Sequence, residues 1–216
     1  MMNKAHYGVN IDIGARCTLE CSACSRTKLR KKGLPIPGKD ITIDQFKKIA
    51  NFFKYINFCG QVSDPTMNNN FIEFLKICND KKIKTSVHVA ASHRKEKWWN
   101  EAFEANKNAQ WTFGIDGLPE ESHKYRVNQD GVKLFKMMLL AKSKGIRCVW
   151  QYIVFNYNEN HILQAKKISK SHNIRFDLLL TSRFTKDDPL KPTSKKYYIP
   201  KPQNDLSIRE YLKNEK

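Results

Sequence analysis

The chain has 216 residues, with 39 basic and 21 acidic side chains and a formal charge of +18. This length supports one domain with a real core, burying about 70% of the unfolded surface, and no run of 18 apolar residues offers a membrane span. The first residues lack the apolar run of a secretory signal, so a cytoplasmic protein without a membrane partner is the default expectation.

In chain order, an apolar run over 7–13 predicts the first strand. A cysteine-bearing loop and then a polar, basic loop follow it. A helical pattern over 42–54 opens with Thr42 and has Gln45 three residues on, a capping-box signal. Phe46, Ile49, Ala50 and Phe53 then recur at helical spacing. A strand over 55–59 precedes a helix over 69–81, where Cys78 shares a face with Phe71, Phe74 and Leu75. A strand over 83–90 carries His88, read as packed core, and leads to a helix over 96–107. There Trp98 and Trp99 are adjacent, so one should pack inward and the other cover the surface. A strand over 110–115, a helix over 131–144 stopping at Gly145, a strand over 146–155, a helix over 158–172 and a strand over 174–180 complete the alternation. After Arg183 the periodicity fails. The domain assignment is a core over 1–184 and a Lys/Pro-rich tail over 185–216, extended or partly helical, with a short helix over 206–212.

Strands alternating with helices predict an α/β fold with a parallel sheet and right-handed crossovers. The strands read as near-continuous apolar runs, as when both faces are covered. Six βα units are fewer than a closed eight-unit barrel needs. A partial (β/α)6 barrel, TIM-barrel-like, is the preferred architecture, and an open doubly wound sheet is second. Chemistry in such folds gathers at the carboxyl ends of the strands, and the polar motifs fall there. The cysteine loop follows strand one, Gly60-Gln61-Val62-Ser63-Asp64-Pro65 strand two, and Ser92-His93-Arg94 strand three. Asp116-Gly117 ends strand four, Asn156 follows strand five, and Thr181-Ser182-Arg183 follows strand six.

Cys17, Cys21 and Cys24 form a C-x3-C-x2-C run. Three thiolates this close can hold three metal positions and leave a fourth open, which suits an iron–sulfur reaction centre. A zinc site completed by His6 or another histidine is the competing reading. Cys59, Cys78 and Cys148 are scattered and read as buried apolar residues, with Cys59 placed to approach the site. The densest basic stretch, Arg26 to Lys32, has no interleaved aromatic residue and so no stacking platform for single strands.

The cysteine motif after a first strand, with this alternation, resembles the radical SAM superfamily over residues 7–183. The resemblance implies a [4Fe–4S] cluster on Cys17, Cys21 and Cys24, with its fourth iron taking the amino and carboxylate groups of S-adenosylmethionine (SAM). It implies reductive SAM cleavage to a 5′-deoxyadenosyl radical that abstracts hydrogen from a substrate, and an electron donor such as a flavodoxin or ferredoxin. Gly60 and Ser63-Asp64-Pro65 stand where the family has Gly-Glu-Pro or Gly-Asp-Pro, so they should meet the SAM amino group. Gly114-Ile115-Asp116-Gly117-Leu118 resembles Ser-Ile-Asp-Gly-Leu, with Asp116 at the ribose or lining the pocket. His123-Lys124-Tyr125-Arg126 resembles a following H-x-x-Y-R, with Arg126 a partner for the SAM carboxylate. Ala23 replaces the aromatic residue common before the third cysteine, and Ala90-Ala91-Ser92 replaces Thr-Asn-Gly. No cysteine-rich C-terminal extension follows, so an auxiliary cluster is not expected. Gln151, alternating with Tyr152, and Arg183 are candidate substrate contacts. The substrate is a peptide or protein side chain, or a nucleotide, RNA or sugar that the positive charge would attract. A non-enzymatic zinc protein binding nucleic acid is the reading from another class.

Overall fold

A computed structural model describes residues 8–199; the expected helix over 206–212 and His6 lie outside the described residues. Six strands, β1 (Gly8–Ile11), β2 (Tyr55–Phe58), β3 (Lys84–Val89), β4 (Gln110–Gly114), β5 (Arg147–Ile153) and β6 (Arg175–Leu179), pair side by side in chain order. Every pairing is parallel. The helices are α1 (Ser25–Lys31), α2 (Ile43–Phe52), α3 (Phe71–Asp80), α4 (Glu96–Ala105), α5 (Gly131–Ser143) and α6 (Ile162–Ser171). A doubly wound sheet reverses its strand order at a switch point, and this one never does. Right-handed crossovers that always step the same way put their helices on one face. Accordingly α2 touches α3, α3 touches α4, and α4 touches α5. The result is an open, TIM-barrel-like sheet with a helical outer layer.

The two faces of the sheet differ in chemistry. Ile56, Phe58, Val87, Val89, Trp111, Phe113, Trp150 and Tyr152 point outward into one core with Phe46, Phe71, Phe74 and Phe103 from the helices. The residues between them point inward, because side chains alternate along a strand. Register aligns Asn10 with Asn57, Asn57 with Ser86, His88 with Thr112, Gly114 with Gln151, and Gln151 with Asp177. On the inner face Asn57 donates to Asn10 at 2.8 Å and accepts from Ser86 at 2.6 Å. The expectation of apolar cover on both faces is therefore corrected. The concave face is polar, and His88 belongs to it rather than to the packed core.

Local signals act as the sequence indicates. Thr42 and Gln45 form the reciprocal capping box of α2, and α5 ends with Gly145 at φ +78. Trp99 is fully buried while Trp98 lies at the rim under Arg94. The basic stretch after Cys24, expected as a loop, is instead the helix α1. The segment after β6 docks on the body: Glu159 accepts from the Thr193 and Ser194 amides at 3.2 Å each, and Phe184 packs on Phe155.

Phe74 stacks on Phe46 at 4.4 Å between ring centres in this outer core. Phe74→Ala should cost about 3–5 kcal/mol in urea unfolding. Leu163, 80% exposed on α6, should change stability by less than about 0.5 kcal/mol when replaced by Ala. Equal losses at both positions would refute the placement of Phe74 in the outer core and Leu163 on the surface.

Candidate functional site

Where parallel strands end, their last amide groups lose their ladder partners and need others. Three aspartates supply them, each reaching sideways to a different strand exit. Asp12, just past β1, accepts from the Gln61 amide at 2.6 Å and the Val62 amide at 3.0 Å beyond β2. The Ser63 hydroxyl also donates to Asp12. Asp64, past β2, accepts from the Ala90 and Ala91 amides past β3 at 2.8 and 2.9 Å. Its other oxygen accepts from the Thr66 amide at 3.0 Å. Asp116, past β4, accepts from the Ile153 amide of β5 at 2.8 Å. Gln129 completes the set, donating to the carbonyls of Ala90 at 2.6 Å and Gly114 at 2.9 Å.

These tethers fix the rim of a cavity of about 710 Å³, within the range of small-molecule sites. Cys17, Cys21, Cys24, Gly60, Ser63, Asp64, Arg126, Gln151 and Arg183 all line it. Pro65 and Asp116 stand behind the wall, both buried. Gly60 is held to glycine by close approach: a Cβ there would lie 1.7 Å from the Ser63 carbonyl oxygen. Ser63, where the resembled motif has glycine, is accommodated because its hydroxyl ties back to Asp12.

The cysteine loop folds as a turn, with the Cys24 amide donating to the Cys21 carbonyl at 3.0 Å, and Cys24 caps α1. Burial pushes the Cys17 thiol up to about 12; Asp64 adds to the shift, and the Leu19 amide and Arg26 oppose it. Burial also raises Cys21, against the pull of Arg126. Metal loading must therefore displace protons from these thiols. Among the described residues no three His, Cys, Asp or Glu side chains converge on the position of one ion. A cluster differs in spreading its thiolates over separate irons, and three cysteines around one cavity are a donor set that fits it.

Arg126 does not stand free. Its Nε lies 2.7 Å from Asp116, whose side chain is fully buried. Burial works against the Arg126 charge, yet Asp116 outweighs it and the guanidinium is held protonated more firmly than usual. A Cβ at Gly114 would meet an Arg126 terminal nitrogen at 2.7 Å, so a serine there would require the guanidinium to shift. Ser122 donates to Gln129 and accepts from the Asp116 amide at 2.8 Å, which locks this corner.

The polar inner face forms the floor. Burial lowers the His88 pKa from its ordinary value, and Gln151 and Asp177 oppose the shift. Gln151 points inward as expected and Tyr152 outward. Cys59 reaches the cavity wall, while Cys78 and Cys148 are buried. Asp12, Gln129 and His88 were the residues sequence reasoning missed as site members. Only their position at or near strand exits could have flagged them.

A family model described as the radical SAM superfamily matches residues 11–167. No curated protein matches the chain. Among solved structures, Streptococcus suis SuiB bound to S-adenosylmethionine is 14% identical with a TM-score of 0.68, over 98% of this chain and 48% of that one. The protein anSMEcpe with bound AdoMet is 17% identical with a TM-score of 0.61, over 95% of this chain and 55% of that one. Methylornithine synthase (PylB) is 16% identical with a TM-score of 0.59, over 95% of this chain and 61% of that one. The chain thus spans about half the length of these proteins, and at such identities the likeness establishes the fold. The family match starts at the end of β1, takes in the cysteine loop and all three tethering aspartates, and runs into α6, so the chain belongs to the radical SAM superfamily.

Proposed function

We propose that the protein is a radical SAM enzyme in which Cys17, Cys21 and Cys24 hold a [4Fe–4S] cluster and the cavity beside them holds SAM. The observation that carries this reading is the shared wall: the three cysteines and the tethered loop after β2 open on one cavity. When bound, cluster and SAM supply reductive cleavage to methionine and a 5′-deoxyadenosyl radical, which takes a hydrogen atom from the substrate. The protein binds, orients and excludes water.

In this reading Gly60, Ser63, Asp64 and Pro65 form the platform for the SAM amino group. Both Asp64 oxygens already accept from the chain's own donors. Asp64 therefore shapes the platform, and backbone carbonyls of the loop meet the ammonium. Arg126 lines the cavity, neutralised from behind by the buried Asp116. Gln151 on the floor and Arg183 at the rim contact the substrate, for which we favour a peptide or protein side chain. SuiB bound to its precursor peptide SuiA and anSMEcpe bound to the Cp18Cys peptide share this fold, which supports that choice. The charge of +18 supports a second reading, an anionic nucleotide or RNA. The electron would come from a flavodoxin- or ferredoxin-like carrier in a reducing compartment such as the cytoplasm.

Anaerobic reconstitution should yield a brown protein with about four irons per chain, and dithionite with SAM should release 5′-deoxyadenosine. Cys21→Ala should abolish that release; a colourless, zinc-only protein would refute the assignment. Asp64→Ala leaves the Ala90 and Ala91 amides unpaired, a loss of about 1–3 kcal/mol. It should weaken SAM binding tenfold or more by calorimetry with iron content preserved, and unchanged SAM affinity would remove the motif from the site. Asp116→Asn should destabilise the metal-free protein by about 3–5 kcal/mol in urea, because it strands a buried cation. Asp116→Asn with Arg126→Met should cost less than the sum of the single changes, and strict additivity would show that the pair is not coupled.

A further inference from the structure

Arg26 is the second residue of α1 and is 2% exposed. One terminal nitrogen donates to the Leu19 carbonyl, inside the turn between Cys17 and Cys21. Its Nε has no hydrogen-bond partner among the described residues, and no carboxylate pairs with it there. Burying an unpaired guanidinium costs several kcal/mol unless an anion shares the site. The neighbouring acids are already committed: Glu20 pairs with Arg30, Asp64 holds backbone amides, Asp116 pairs with Arg126, and Asp188 on the cavity wall accepts from the Leu190 amide at 2.9 Å. Arg26 also lines the cavity that the three cysteines share, and its charge acts on Cys17. The remaining anionic groups within its surroundings are the cysteine sulfurs, once they are thiolates on metal.

We propose that Arg26 is a positioning residue serving as the fixed counter-charge of the cluster. It clasps the cysteine turn through Leu19 and favours the one-electron-reduced state of the iron centre. This rests on the reading of Cys17, Cys21 and Cys24 as cluster ligands. Reduction adds one negative charge to the centre, with the electron supplied from outside by dithionite or a protein carrier. A cation held in low dielectric beside it stabilises that added charge more than the same cation in water would. Arg126 does not duplicate this role, because Asp116 already neutralises it.

The test uses reconstituted protein without SAM, poised with dithionite and mediator dyes and followed by electron paramagnetic resonance. Arg26→Gln keeps an amide donor for Leu19 and removes the charge. It should make the reduced state at least tenfold less populated at a fixed poise, about 59 mV for one electron. Arg26→Lys keeps the charge and should stay within threefold of the wild type. If Arg26→Gln loads four irons with an unchanged midpoint, Arg26 is only a clasp and the proposal is overturned. If both variants shift equally, or neither loads iron, the side chain is required for shape and the proposal fails. Loading of Arg26→Lys but not Arg26→Gln supports it. A wild-type protein that takes up no iron would instead refute the cluster reading itself.

Discussion

A parallel sheet that stops must satisfy the amides it leaves behind, and in this chain that requirement organises the site. Asp12 secures the exit of β2, Asp64 that of β3, and Asp116 that of β5. Each bond is charge-assisted, so each is stronger than a neutral equivalent. The carboxylates are engaged by backbone amides along the rim, and they tie neighbouring loops together at fixed spacing. Loops attached in this way can present backbone carbonyls with little reorganisation, which is what a site needs when a reactive cofactor pair must be kept in one geometry. The acidic residues that look like ligand contacts in the sequence are, first, the frame on which the contacts hang.

The frame creates demands of its own. A buried Asp116 needs a cation, and Arg126 answers it at 2.7 Å. Arg126 then lies close over β4, within 2.7 Å of where a Cβ at Gly114 would stand. The loop after β2 crosses so closely that Gly60 is forced. Ser63 remains possible because its hydroxyl joins the Asp12 tether. Two departures from the resembled motifs thus have partners in space: Gly114 lies against Arg126, and the Ser63 hydroxyl donates to Asp12.

Much of this was legible in the sequence, for identifiable reasons. Every predicted strand and helix over 7–180 has a counterpart, because apolar residues recur with the period of each element and because Thr42, Gln45 and Gly145 mark helix ends by backbone chemistry. The cysteine spacing and the polar strand ends point to residues that the structure gathers around one cavity. What failed was finer. The helix α1 was missed because Ser25–Lys31 contains a single large apolar residue, Leu29, and is specified by its docking through Arg26 instead of by periodicity. The polar inner face was missed because Asn10, Asn57, Ser86 and His88 are isolated between β-branched and aromatic neighbours, so each strand still reads as apolar. Helix stops at Lys82 and Asn173, both at positive φ, carry weaker signals than glycine. The tethers could not be read at all, since Asp64 and Ala90 meet only after two strands and a helix have been placed.

The polarity of the inner face bears on what kind of substrate the site accepts. A closed barrel packs its interior with side chains. Here six strands leave the sheet open, and its inner face carries amides and hydroxyls in mutual hydrogen bonds, with the His88 imidazole beside them. Such a floor is stable against water and costly to cover with an apolar group that leaves its donors unpaired. Any group that displaces water there must offer donors and acceptors in return. The docked segment after β6 narrows the opening from the other side, where Phe184, Phe155 and Tyr125 cluster around Leu19 and Cys21. The apolar cover lies at the cysteines and the polar contacts lie on the floor. This division shields the reactive end from solvent while leaving recognition to groups that water can fill when the site is empty.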